Sequence, residues 1–62
     1  MIKKIIRMAS GVTSCTIVDD DTGEELYSGR ITNIRFSDFE GYNPVFFSTV
    51  RNTLILNVER SE

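Results

Sequence analysis

Five carboxylates crowd into seven residues, Asp19, Asp20, Asp21, Glu24 and Glu25, the densest set of potential ligands in the chain. Oxygen clusters of this kind can hold a hard cation such as calcium. The helix–loop–helix calcium loop wants oxygen ligands at its first, third and fifth positions and glycine at its sixth. Counted from Asp19, the fifth position is Gly23 and the sixth Glu24, so the pattern fails. The stretch reads instead as a chain reversal, because aspartate bonds its own turn backbone and Gly23 can supply a positive φ. No metal is expected there.

The chain carries one cysteine, Cys15, and no histidine. A lone cysteine closes no internal disulfide, and without histidine a tetrahedral zinc site lacks its usual ligands. Cys15 lies in a β-branched run, where a thiol packs as a small apolar group, and a nucleophilic thiol would want a basic partner. The missing histidine also removes Ser-His-Asp chemistry and imidazole acid–base catalysis. No glycine-rich phosphate loop is present. The chain is read as non-enzymatic, with no cofactor.

Binding is the remaining class of function. Lys3, Lys4, Arg7, Arg30 and Arg35, with Tyr27, Phe36 and Tyr42 as stacking groups, are the case for nucleic acid. Small OB-like barrels combine basic residues with sheet aromatics in that way. Here the aromatics are scattered and the net charge is −2, which opposes an extended electrostatic grip. A nucleic-acid-binding barrel is therefore the alternative reading. An acidic decoy or inhibitor of a DNA-acting protein is a second alternative, resting on the negative balance alone.

The favoured partner is another protein or a second copy of the chain. The span from Arg35 to Pro44 holds three aromatics, Phe36, Phe39 and Tyr42, in a loop-rich stretch. Aromatics so placed either roof a small core or anchor an interface. Arg35, Phe36, Phe39 and Tyr42 are the candidate partner site. Ile55 or Phe46, whichever the strand register turns outward, comes next as an exposed apolar residue.

These residues need a scaffold, and 62 residues allow one small domain near the lower limit for unaided folding. So small a core gains from self-association, and a homodimer is as well supported as a monomer. Alanine occurs once and leucine three times, whereas isoleucine, valine, threonine and phenylalanine are plentiful, which favours strands. Ile2 to Met8 fits a helix or a strand, and the strand is preferred. Arg7 interrupts its apolar run far short of the roughly 7–15 residues a signal peptide needs. No stretch approaches the roughly 18 apolar residues of a membrane span. With a free cysteine and no export signal, the cytoplasm is the expected compartment.

Val12 to Val18 has five β-branched residues in seven, and with the acidic turn and Glu25 to Gly29 it makes a hairpin. Gly29 ends that strand or marks a bulge. Ile31, Ile34 and Phe36 are available for burial in the following bent strand or crossover. Ser37-Asp38-Phe39-Glu40 matches the capping-box pattern, and Gly41 limits any helix there to about one turn near residues 37–40.

Two readings compete for Val45 to Val58. Asn43 and Pro44 could open a helix to Arg51. A hairpin reversing at Arg51-Asn52 would instead pair Val45 with Val58, Phe47 with Leu56 and Thr49 with Leu54. The hairpin is preferred, because the span lacks strong helix formers.

The expected fold is mainly β: one small antiparallel sheet or partly open barrel of four or five strands, built from hairpins. With no long helix in view, the sheet either closes on itself or takes its lid from a second copy.

Overall fold

The computed structural model describes residues 2–8 and 11–61, and for residues 2, 3 and 8 the backbone alone. Ser10 of the expected Ser10–Gly11 turn and the side chain of Lys3 lie outside the described residues. Among the described residues four strands form one sheet: β1 (Ser14–Asp19), β2 (Glu25–Arg30), β3 (Tyr42–Val50) and β4 (Thr53–Arg60), in the spatial order β2-β1-β4-β3. The protein is mainly β, and the sheet is open rather than a closed barrel. It is also mixed. The two hairpins β1–β2 and β3–β4 are antiparallel, but they join through a parallel β1–β4 pair.

Burial explains that order. Cys15 and Ile17 on β1, and Leu54, Leu56 and Val58 on β4, have no exposed surface. The two strands with the most regular apolar alternation take the centre, where neighbours on both sides exclude water. β2 and β3 are left as edges.

The sheet's lid comes from the chain itself, which corrects two expectations. Residues Ile2–Met8 form a helix, α1, rather than a strand. Ile5 is half-buried and Ile6 buried against the core, while Lys4 and Arg7 are exposed. A seven-residue helix is marginal alone, so this packing holds it. Arg7 in its last turn complements the carbonyl end of the helix. The connection from β2 to β3 then crosses the same face, carrying two 3-10 turns, Ile31–Asn33 and Phe36–Phe39. Ile34 and Phe39 are buried beneath it, and Ile31 and Phe36 pack at the margin. Neither barrel closure nor a second copy is needed to cover this face.

The capping box does not form. Arg35 stands at the N-cap of the second 3-10 turn, with no side-chain cap bond, and Ser37 lies inside the turn. The turn closes through the Asp38 amide donating to the Arg35 carbonyl at 2.9 Å. Gly29 neither ends β2 nor bulges; the irregularity opposite Ile17 and Val18 leaves Leu26 unpaired instead. A Cβ at Gly29 would lie 3.1 Å from the Tyr27 hydroxyl oxygen, so that side chain lies across the glycine. The same hydroxyl donates to the Arg30 carbonyl at 2.6 Å.

The second hairpin has the two-residue loop. Phe47 pairs with Leu56, Thr49 with Leu54 and Val50 with Thr53, so residues 45–50 are strand and not helix. The expected Val45–Val58 pair is displaced: Val58 faces Pro44, and a bulge at Val45 takes up the extra residue. Arg51 pays the steric cost of the reversal with φ at 56°. For a residue with a side chain the left-handed region costs roughly 1–2 kcal/mol, partly offset because glycine loses more entropy on folding. Arg51→Gly is therefore expected to stabilise the protein by about 0.5–1 kcal/mol. Thermal melting should show this as a midpoint raised by roughly 2–8 °C. An unchanged or lower midpoint would refute the strain.

Among the described residues no helix is long and apolar enough to cross a membrane.

Candidate interaction surface

β3 is an edge strand of nine residues without a single charge. Val45, Phe46, Phe47 and Val50 along it are 47%, 61%, 55% and 55% exposed, the large apolar side chains left open to water among the described residues. Phe47 lies on the lid side, opposite Leu56, but the lid does not extend over it. Phe46 and Val50 project from the opposite, uncovered face. Ile55, half-buried on β4, stands diagonally between them on that face. The register has thus turned both Phe46 and Ile55 outward.

The backbone of β3 has a free side as well. On β4, the carbonyls of Asn52 and Val58 accept bonds from Thr13, Ser14 and Asp20, at the β1 side of the sheet. Strand alternation then turns Leu54 and Leu56 the same way, and turns Thr53, Ile55 and Asn57 toward β3. Their partners Val50, Ser48 and Phe46 bond inward to β4. Phe47 and Thr49 consequently direct their N–H and C=O groups to the open edge. Pro44, opposite Val58, faces that edge too and has no N–H to offer. The proline and the Val45 bulge blunt the first half of the edge, and beyond them the outward groups of Phe47 and Thr49 stay unpaired.

Of the residues named from the sequence, Tyr42 is the first residue of β3, while Arg35, Phe36 and Phe39 sit in the crossover. Phe39 is buried at 8% exposure, and Phe36 and Tyr42 are half-buried against the core. The Phe39 and Tyr42 rings meet edge to face, 6.3 Å between centroids, and the Arg60 guanidinium stands 5.6 Å from the Tyr42 centroid. Arg35 is exposed. The structure gathers Phe36 and Phe39 into the lid, and Tyr42 opens β3 in contact with Phe39. Of the exposed strand residues, sequence reasoning singled out only Phe46. A nine-residue charge-free run with a proline near its start was the available signal, since that pattern belongs to an edge.

Lys4, Arg7, Arg30 and Arg35 are exposed but distributed over α1, β2 and the crossover. The aromatics weighed with them, Tyr27, Phe36 and Tyr42, pack against the core. The acidic turn is occupied with its own backbone. One Asp19 carboxylate oxygen accepts the amides of Asp21 and Thr22 at 2.9 and 3.3 Å, and the Thr22 hydroxyl accepts that of Glu24. Gly23, at φ 76°, donates to the Asp19 carbonyl at 2.8 Å. Asp20 accepts from the Asn57 side-chain amide at 3.2 Å, tying the turn to β4. Among the described residues no group of three or more carboxylates and thiols is arranged to hold a metal ion. A shallow concavity of about 460 Å³ lies between Val12–Ser14 and Arg30–Thr32, with Arg30 its one charged residue.

Burial pushes the Cys15 thiol from 9.0 up to about 11. Desolvation disfavours the thiolate, so the folded state holds the proton more tightly than the unfolded chain. Stability from this group is complete below about pH 9 and is lost as pH rises through about 11. Native protein at neutral pH should resist alkylation by iodoacetamide, and the alkaline loss of stability should flatten in Cys15→Ala. Rapid native-state labelling would contradict the burial.

A scan of family models and searches of curated proteins and of solved structures return no match.

Proposed function

We propose that this chain is a non-enzymatic binding module that acts by protein–protein contact, with β3 as its contact surface. One observation carries the reading: a charge-free edge strand holds four large apolar side chains at 47–61% exposure. Soluble proteins ordinarily guard such an edge with charge, and exposed apolar surface of this kind marks an interaction site. An added strand would bond to Phe47 and Thr49 while its side chains met Phe46 and Val50 on one face and Phe47 on the other. The absence of histidine and the burial of the one thiol support a role without catalysis.

Site-specific photo-crosslinking tests the reading. Benzoylphenylalanine would replace Phe46, and in a control protein Thr22 on the exposed acidic turn. After irradiation in the cells that make the protein, adducts of defined mass are expected at position 46 and not at 22. Equal labelling at the two positions, or none at 46, overturns it.

A further inference from the structure

We infer that the occupant of the β3 edge is β3 of a second copy, the two strands pairing antiparallel about a two-fold axis at Ser48. This rests on β3 being the contact surface. The free main-chain groups of Phe47 and Thr49 are spaced two residues apart, as bonded positions of an antiparallel ladder must be. With the axis at Ser48, Phe47 lies opposite Thr49 of the second copy and Thr49 opposite its Phe47. Each such pair exchanges both bonds, so four new main-chain hydrogen bonds form. Centring on Phe47 would set Thr49 against the bulged Val45, and centring on Thr49 would set Phe47 against the Arg51 turn. Only the Ser48 register uses both free residues of both copies.

Side chains agree with that register. On the uncovered face Phe46 meets Val50 of the second copy twice over, an aromatic with a β-branched residue, and no like charges face each other. An aromatic side chain presents on the order of 200 Å², so Phe46 and Phe47 at 61% and 55% exposure leave about 230 Å² open. A stable interface takes roughly 800 Å² from each partner, less than a fifth of the 4500 Å² surface of this chain. Full burial of the two phenylalanines would supply more than a quarter of it, and Val45, Val50, Thr49 and the strand backbone would add to them. The other edge does not compete. β2 carries exposed Glu25 and Arg30 and the Leu26 irregularity, so a β3-to-β2 contact that would propagate into a fibre is disfavoured.

Sedimentation and disulfide trapping test the pairing. The purified chain should sediment at twice its 7.1 kDa mass at high micromolar concentration. Ser48 would face its own copy in a non-bonded pair, where Cβ atoms approach to about 4.5–5.5 Å. Ser48→Cys should therefore form a covalent dimer under mild oxidation, whereas Ser28→Cys on β2 should not. Cys15 is fully buried and does not compete. Phe46→Lys with Val50→Lys should weaken the dimer by about 100-fold or more while leaving the far-ultraviolet circular dichroism unchanged. A strict monomer, or a dimer whose Ser48→Cys stays reduced, overturns the proposal. If the monomer still crosslinks a different protein at position 46, the second copy is wrong and the contact surface stands. If it crosslinks nothing there, both fail.

Discussion

Leu56→Ala is expected to remove 2 kcal/mol or more of stability, within the roughly 2–5 kcal/mol range of buried leucine truncations. Leu56 has no exposed surface and sits in the middle of β4, between Ile17 on β1 and Phe47 on β3. Main-chain hydrogen bonding on both sides holds the three strands at fixed spacing, so the cavity cannot collapse. At the usual scale of about 0.05–0.15 kcal/mol per residue, a chain of this size has only some 3–9 kcal/mol in total. The variant should populate unfolded chain visibly at room temperature. Ile55→Ala, one residue away on the uncovered face, should cost less because Ile55 is only partly buried. Urea unfolding of the pair checks this, and equal losses would refute the assignment of faces.

Ile6→Asp should be comparably severe. Ile6 is 6% exposed and is the most deeply seated residue of α1 whose side chain is described. Among the described residues the buried core holds no polar or charged residue that could receive a carboxylate. Placing an unpaired charge there costs several kcal/mol, so the helix should detach rather than bury it. Ile6 shares one buried cluster with Cys15, Ile17 and Leu54, so detachment would open that cluster to water. The readout is chemical: iodoacetamide should label Cys15 at neutral pH in Ile6→Asp and not in the parent. Arg7→Ala, on the exposed side of the helix, should stay within about 0.5 kcal/mol of the parent. Protection of Cys15 in Ile6→Asp would show that the crossover alone covers the sheet.

What could be read from the sequence was local. The reversal at Asp19–Gly23 and the two-residue loop at Arg51–Asn52 follow from residue chemistry within a few positions, and both hairpins are present. Over seven residues, a period of two and a period of 3.6 match Ile2–Met8 equally well, and only packing against the sheet selects the helix. The parallel β1–β4 pair had no local signature. Nor did the exposure of Val45, Phe47 and Val50, which follows from β3 being an edge and so from the sheet order. Ser37 and Glu40 had the right spacing for a capping box, but Ile34 and Phe39, drawn into the core, set a tighter turn over that segment.

The parallel β1–β4 pair also governs how the chain reaches its native state. Ser14 lies beside Thr53, 39 positions later (53 − 14), and every other rung of that ladder has the same separation. Each hairpin can close within microseconds on its own, but a lone two-stranded hairpin is barely stable in water. The apolar faces of β1 and β4 are shielded only when the two hairpins dock, across a loop that must first be closed at an entropic cost. Docking, not hairpin formation, is therefore the slow step. A nascent chain that has made β1, β2 and β3 still lacks the strand that buries them, so solubility during synthesis depends on how soon β4 arrives.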